Sequence, residues 1–223
     1  MAQRIHPGDT PGDVPGGHIG PMSFEAYLAF LERTEWRYEY MNGMAYAMAG
    51  AAHVHEAATL NVATRLRALA RGSGCTVTSQ GFLVRTPRGD AYLPDAMLGC
   101  GPRPANHDRY LTDPCLVVEV LSPSTMRVDL GEKRIAYQEI PTLRAYLVIE
   151  TAWRAVHRMW READDTWQRE TIADASGGMV PLPCPAGATL TLDEIYEDVA
   201  LPTEPPRATR VFEQPETTTA GAS

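Results

Sequence analysis

The chain carries short apolar runs whose spacing switches between the period of a helix and the period of a strand. The first run follows Ser23, a favourable N-cap residue, where Phe24, Tyr27, Leu28 and Leu31 recur three or four positions apart. This spacing predicts a short amphipathic helix over "FEAYLAFLER".

The next segment alternates in the manner of a strand. Trp36, Tyr38 and Tyr40 are separated by charged residues, and Asn42-Gly43 follows them. Because Asn-Gly favours the type I′ turn that joins two antiparallel strands, we predict a β-hairpin over "WRYEYMNGMAYAM".

A longer helix is predicted from about residue 53 to residue 71. Its apolar stripe contains Ala58, Val62 and Leu66, and His55 lies on the same stripe in the first turn. We therefore expect this helix to lie on a sheet with His55 on its inward side.

Strand patterns fill most of the chain after this helix. Successive strand candidates are "CTVTSQGFLVRT", "AYLPDAML" and "CLVVEVLS"; a helix is predicted from about Leu130 to Ile140, and the apolar strand "AYLVIE" follows it. A further, more exposed pair is predicted over "RAVHRMW" and "WQRETIA". A strand, a helix and a second strand in this order predict a crossover unit, so the predicted fold class is α/β with a mixed central sheet flanked by helices.

The two ends of the chain differ in composition from its middle. Residues 1–21 and 202–223 contain little that can be buried, and we predict both as disordered tails. Between them, residues 22–201 are long enough for one domain with a real core, because 44% of the whole chain is hydrophobic.

Charge and cysteine content narrow the class of protein. The net charge of −8 argues against a general nucleic-acid coat protein, although it leaves room for a nuclease with basic residues on one face. The four cysteines form no CxxC pair and follow no signal peptide, so we expect reduced thiols in the cytoplasm. No apolar run approaches the roughly 18 residues of a membrane helix, so no membrane association is expected.

One carboxylate stands out because it interrupts an apolar strand. Glu119 lies in "LVVEVLSPST", a strand that should be buried on both faces, where a charge is costly unless it is paired or bound to a cation. Asp95 follows Pro94 in a preceding strand. Two carboxylates on neighbouring strands form the hard oxygen site that Mg²⁺ prefers, and such a metal can activate a water toward a phosphodiester. The alternative is that Asp95 lies in a turn and Glu119 pairs with an arginine.

The helix after this strand offers a cation. Asp129, Lys133 and Tyr137 are four apart and share one face. Lys133 either leans toward the carboxylates, where an ammonium could orient water or stabilise phosphorane charge, or is solvated while Asp129 acts as an N-cap. Tyr137 is interpreted as a packing residue.

The sequence leaves the roles of two further residues, His55 and Glu39, open. His55 is either an accessory group near the metal or a hydrogen-bonded structural histidine, and His53 and Glu56 are its possible substitutes. Glu39, in the hairpin, is interpreted as a cross-strand partner.

From about Ser23 to Glu150 the sequence resembles the Uma-type family of the PD-(D/E)XK, or restriction-endonuclease-like, nuclease superfamily. The resemblance rests on "YEYMNG" ahead of the His55 helix, then "LPDAML", "LVVEVLSPST", "DLGEKRIAY" and "AYLVIE", in this order. It implies a restriction-endonuclease-like mixed sheet, Mg²⁺ or alternatively Mn²⁺ bound by Asp95 and Glu119, and hydrolysis of DNA by a metal-activated water.

The resemblance includes one departure from the superfamily's pattern. The lysine expected two residues beyond the motif glutamate is Leu121 here, as in other Uma-type members, and Lys133 is a candidate for a migrated lysine. Two alternatives therefore stay open, a catalytically inactive binding or regulatory module and a hydrolase of a small phosphorylated substrate. A homodimer is a possible assembly.

Overall fold

A computed structural model of the protein describes residues 17–48, 50–122 and 129–206. The helices in these ranges are α1 (Phe24–Leu31), α2 (His53–Leu69), α3 (Arg134–Gln138) and α4 (Leu192–Ile195), with a π-helical turn at Asp129–Lys133 and a 3₁₀ turn at Asp174–Ser176. The strands are β1 (His18–Ile19), β2 (Tyr38–Met41), β3 (Met44–Ala47), β4 (Thr76–Ser79), β5 (Leu83–Arg85), β6 (Ala91–Tyr92), β7 (Ala96–Gly99), β8 (Tyr110–Leu111), β9 (Leu116–Val120), β10 (Ala145–Ile149), β11 (Ala155–Arg161), β12 (Trp167–Ala173), β13 (Met179–Pro181) and β14 (Thr189–Thr191).

The central sheet has six strands in the order β12-β11-β10-β9-β7-β4. Strands β9 and β10 are parallel, with the π-helical turn and α3 between them in sequence, whereas the other neighbours are antiparallel. The predicted crossover unit and the mixed sheet are therefore confirmed.

The two faces of this sheet bury different clusters. On one face, Ala58, Val62 and Leu66 of α2 pack with Leu116 and Val118 of β9. On the other face lies a second buried cluster, made of Val84, Tyr92, Met97, Val117, Leu121, Ala136, Tyr137, Ile140, Leu143, Tyr146, Val148 and Met159. Because β9 is buried on both sides, a charged residue within it needs a dedicated partner.

A second sheet, in the order β1-β3-β2-β6-β5-β8, packs with α1. Its hairpin turns at Asn42 and Gly43, whose φ angles of 51° and 82° suit a type I′ turn, as predicted. Ser23 caps α1 as predicted, because its Oγ accepts a hydrogen bond from Ala26 N at 3.2 Å. The sequence patterns predicted strands but not their division between two sheets.

The predicted tails lie mostly outside the described residues, which begin at 17 and end at 206. The range assigned to the N-terminal tail nevertheless includes His18–Ile19, which pairs with Ala45 and Tyr46 of β3. The domain boundaries at residues 22 and 201 stay a prediction.

The cysteines depart from the expectation of reduced thiols. Cys75 is bonded to Cys100 and Cys115 to Cys184, so all four are in disulfides. The sequence could not show this, since the partners are far apart in the chain. Among the residues that the structure describes, no helix is long and apolar enough to cross a membrane.

Candidate active site

Asp95 and Glu119 lie at the same end of neighbouring strands. Ala96 pairs with Val118, and continuing this antiparallel register places Asp95, just before β7, opposite Glu119 in β9. The Asp95 carboxylate also reaches the β9 backbone, because Val120 N–H donates to Oδ2 at 2.7 Å. The two carboxylates that the sequence singled out therefore lie on adjacent strands of one sheet.

Glu119 has a fixed partner, and that partner is a lysine. Its Oε1 accepts hydrogen bonds from Lys133 Nζ at 3.1 Å and from Tyr137 Oη at 2.8 Å. The glutamate is only 3% exposed. The partner is thus Lys133 and not the arginine of the alternative interpretation. Tyr137, interpreted from sequence as a packing residue, also donates directly to the carboxylate.

Lys133 is buried rather than solvated, and it contacts three carboxylates. Its Nζ lies 2.8 Å from Glu39 Oε1 and 3.2 Å from Asp129 Oδ1, in addition to its contact with Glu119. Asp129 Oδ1 is buried and makes no hydrogen bond, so its contact with the ammonium is electrostatic only. The prediction that Lys133 leans toward the carboxylates agrees with this geometry.

The local backbone explains how Lys133 reaches this position. Asp129–Lys133 forms a π-helical turn, which is wider than an α-helical turn and is frequent at functional sites. Tyr146 Oη donates to Asp129 O at 3.0 Å and holds the start of this turn against β10. The rings of Tyr92, Tyr137 and Tyr146 stack edge-to-face around it, so the charges lie in an apolar surrounding.

The surplus of negative charge shows in the pKa values. Burial raises the pKa of Glu119 well above its usual range; Lys133 opposes this, whereas Asp129, Asp95 and Glu39 reinforce it. Burial alone would lower the pKa of Lys133, but the surrounding carboxylates outweigh it and hold that pKa well above its ordinary value. Lys133 therefore stays protonated, and one ammonium faces more carboxylates than it can neutralise.

His55 lies beside Asp95, at the edge of this cluster. Its Nε2 is 3.3 Å from Asp95 Oδ2, and both side chains are 13% exposed. The inward orientation predicted for the first turn of α2 is therefore present. The alternatives lie elsewhere, since His53 is exposed and Glu56 accepts a hydrogen bond from Gln80 Nε2 at 3.3 Å.

The charge of Asp95 controls the protonation of His55. Burial lowers the His55 pKa, but the hydrogen bond and charge of Asp95, with the charge of Glu56, outweigh burial, and the net shift is upward from 6.5. A raised pKa in the folded state stabilises the fold at pH values below 6.5, and this contribution is lost as the pH rises through the higher folded-state value.

Asp95→Asn is therefore expected to lower the pKa of His55 in metal-free protein. The asparagine keeps the shape but removes the charge that favours imidazolium. Titration of the His55 ring signals by NMR in the presence of EDTA measures this directly, with Glu56→Gln as a control of smaller effect. An unchanged His55 pKa in Asp95→Asn would contradict the pairing.

One buried carboxylate of this cluster was missed from the sequence. Glu39 is 6% exposed, and Oε1 accepts a hydrogen bond from Leu93 N at 3.0 Å as well as contacting Lys133. The signal was present, because Glu39 lies between Tyr38 and Tyr40 in a strand, as Glu119 lies between valines. It was interpreted as a cross-strand partner, since nothing local links the hairpin to β9.

The carboxylates have oxygens to offer a cation. The contacts that the structure shows between Asp95 and other described residues use Oδ2, and those of Glu119 use Oε1. The second oxygen of each of these two carboxylates is a hard donor of the kind that Mg²⁺ or Mn²⁺ prefers.

A solved structure shares this fold. The protein matches the crystal structure of "a putative nuclease belonging to DUF820" from Anabaena variabilis ATCC 29413 with a TM-score of 0.65 and 15% identity, over 81% of this chain and 100% of the other. The predicted fold class, a restriction-endonuclease-like α/β fold, is confirmed.

The family follows from the sequence comparisons. The Uma2 family, described as "Putative restriction endonuclease", matches residues 24–193, and the chain belongs to this family. It is also 30% identical over 154 residues to "Uncharacterized protein slr1290" of Synechocystis sp. (strain ATCC 27184 / PCC 6803 / Kazusa), covering 69% of this chain and 81% of that protein.

Proposed function

We propose that the protein is a metal-dependent endonuclease that hydrolyses DNA phosphodiester bonds. The observation that carries the proposal is the cluster of Asp95, Glu119, Glu39 and Asp129 around the one ammonium of Lys133. Buried negative charge in this excess is stabilised by a bound cation. Membership of a family described as "Putative restriction endonuclease" supports the same activity.

Asp95 and Glu119 would hold the metal, as Mg²⁺ or Mn²⁺. A divalent cation at such a site supplies Lewis-acid activation of the phosphodiester and lowers the pKa of a bound water. The hard oxygens of both side chains suit this ion better than they suit soft metals.

The remaining residues of the cluster have separate roles in the proposal. Lys133 would stabilise the charge that develops on the attacked phosphate, because its ammonium is fixed by three carboxylates and needs little reorganisation. Glu39 and Asp129 would position this ammonium. His55 would orient the Asp95 carboxylate through the contact of its Nε2 with Oδ2 at 3.3 Å.

DNA is the proposed substrate although the chain is acidic overall. The exposed Arg37 lies close enough to His55 to lower its pKa, so a cation is present at the Asp95 end of the site. A phosphate backbone needs such a group beside the carboxylates, because both carry negative charge. The proposal also assigns the protein to the cytoplasm, where the cysteines of both disulfides would be reduced.

One observation favours a second candidate, an inactive binding or regulatory module. Leu121, two residues after Glu119, is an apolar residue that is only 1% exposed and cannot polarise water. If Lys133 serves only as a counter-ion for the buried carboxylates, the fold would remain stable without catalysis.

Metal binding and DNA cleavage together separate these candidates. We expect the protein to bind Mn²⁺ by isothermal titration calorimetry and to nick or linearise supercoiled plasmid in Mg²⁺ or Mn²⁺ but not in EDTA. Binding of metal and DNA without cleavage would support the inactive module. Absence of metal binding would overturn the nuclease proposal.

A further inference from the structure

The four cysteines come from four separate segments and meet at one place in the fold. Cys75 precedes β4 and Cys100 follows β7, and since Thr76 pairs with Gly99 the two cysteines face each other with a Cα–Cα distance of 4.0 Å. Cys115 immediately precedes β9, the neighbour of β7, and its N–H donates to Leu98 O at 2.7 Å.

The fourth cysteine arrives from outside the central sheet. Cys184 lies between β13 and β14 and is only 6% exposed, within the core cluster on the α2 side of the sheet. Cys75 and Cys115 pack against the same cluster, whereas Cys100 is exposed at its edge. The group therefore has a buried side and an open side.

Three of the four sulfur atoms converge, and the fourth is bonded to one of them. The Sγ atoms of Cys100, Cys115 and Cys184 are all within 4.8 Å of one another, and the Cys75 sulfur is bonded to that of Cys100. Within the described ranges of the chain, no other set of at least three His, Cys, Asp or Glu ligand atoms converges to this distance.

This cluster is separate from the carboxylate site. Cys115 and Glu119 lie on the same strand segment, four residues apart, which corresponds to about 13 Å at the rise of a β-strand. The two groups therefore occupy opposite ends of β9.

We propose that the four cysteines, when reduced, bind one Zn²⁺ as a tetrahedral thiolate site, and that the two disulfides are its oxidised, metal-free form. A Zn–S distance of about 2.3 Å places tetrahedral sulfurs about 3.8 Å apart. On reduction the two sulfurs of each disulfide would therefore move apart to this distance, and the Cys100 sulfur would remain near those of Cys115 and Cys184, which already lie within 4.8 Å of it. Thiolate sulfur is a soft ligand that selects Zn²⁺ over Mg²⁺. In the cytoplasm proposed above, grouped cysteines would favour metal binding over structural disulfides.

Conversion of the disulfide form to the thiol form needs a two-electron reductant for each disulfide, and a phosphine supplies it in the experiment below. Each disulfide takes two electrons from one phosphine, and one water supplies the two protons of the thiols and the oxygen of the phosphine oxide. Zn²⁺ then displaces the thiol protons, since the thiolate is the ligand. The bound ion would join the ends of β4, β7 and β9 to the segment between β13 and β14.

Cobalt spectroscopy of the full chain tests this site. After reduction with a phosphine under nitrogen and removal of metal, titration with Co²⁺ is expected to give thiolate-to-cobalt charge-transfer bands and tetrahedral d–d bands that saturate at one equivalent. Adding Zn²⁺ should abolish them. The unreduced protein is the matched control, because its carboxylate site is intact but it has no free thiolate, and it should show no such bands.

Two variants assign the ligands. Cys184→Ser should lose the one-equivalent saturation, and Cys100→Ser should lose about a quarter of the charge-transfer intensity per bound cobalt, because three of four thiolates remain. Cys100 is exposed, so this variant decides the question if Cys184→Ser fails to fold. Ser79→Ala, an exposed change at the other end of β4, should leave the bands unchanged. The proposal is overturned if reduced wild-type protein gives no thiolate bands, or if neither cysteine variant changes them.

Discussion

Glu119→Gln is expected to reduce metal-dependent DNA cleavage to the level seen in EDTA while the protein stays folded. The glutamine keeps the size of the side chain and can still accept the hydrogen bonds from Lys133 and Tyr137. It removes the negative charge that would hold the metal, and a neutral amide oxygen is a poorer ligand for Mg²⁺. The loss should therefore appear in both metal affinity and cleavage.

The same substitution is expected to leave thermal stability unchanged or raised in metal-free buffer. Glu119 is buried beside Asp129, Asp95 and Glu39, whose charges disfavour its ionised form. Removing one carboxylate relieves this repulsion, since Lys133 keeps its contacts with Glu39 and Asp129.

Plasmid cleavage, Mn²⁺ calorimetry and thermal melting of the same preparations check both expectations. Glu132→Gln is the matched control, because it is the identical change at an exposed position of the adjacent π-helical turn. It should leave cleavage and metal binding unaltered. Wild-type cleavage by Glu119→Gln would place the activity elsewhere in the molecule.

The parts of the fold and site that could be predicted are those that a short stretch of sequence specifies by itself. The Asn42-Gly43 turn requires only its own two residues and the strands beside them. Glu119 was recognisable because a charge inside an apolar strand is costly whatever surrounds it. Lys133 was accessible to the same reasoning, since the helix that carries it follows the Glu119 strand directly.

The parts that could not be predicted depend on contacts distant in sequence. Glu39 joins the cluster because β2 of the second sheet lies next to Lys133 of the π-helical turn. No local sequence pattern encodes that packing. The cysteines are another case, since Cys75 and Cys100 meet through strand register and Cys184 arrives with a separate hairpin. Their spacing matches no short motif, so their proximity was visible only in three dimensions.

Lys133→Met is expected to have the largest effect on stability of any single change at this site, and it should lower the cleavage rate as well. The side chain is 2% exposed, and its loss leaves Glu119, Glu39 and Asp129 buried without their common cation. Removal of one partner from a buried ion pair costs about 3–5 kcal/mol of unfolding free energy. Denaturant unfolding in metal-free buffer measures this loss.

The rate effect must be separated from the loss of stability. Removing one positioned electrostatic group is expected to lower the cleavage rate by a factor on the order of 10² to 10³, with little change in Mn²⁺ affinity. The double variant Lys133→Met with Glu39→Gln has one buried negative charge fewer than Lys133→Met alone. It should therefore recover part of the stability but none of the cleavage rate. Recovery of both would mean that Lys133 acts only as a counter-ion.

A charge returned to the strand gives the converse test. Leu121 belongs to the buried cluster that contains Tyr137, which donates to Glu119, and it stands where the superfamily's lysine is expected. Leu121→Lys combined with Lys133→Met should therefore recover part of the cleavage rate if an ammonium beside Glu119 is what the reaction needs. A folded Lys133→Met variant that cleaves at the wild-type rate would exclude the migrated lysine, because neither the ammonium nor its position would then matter to the reaction.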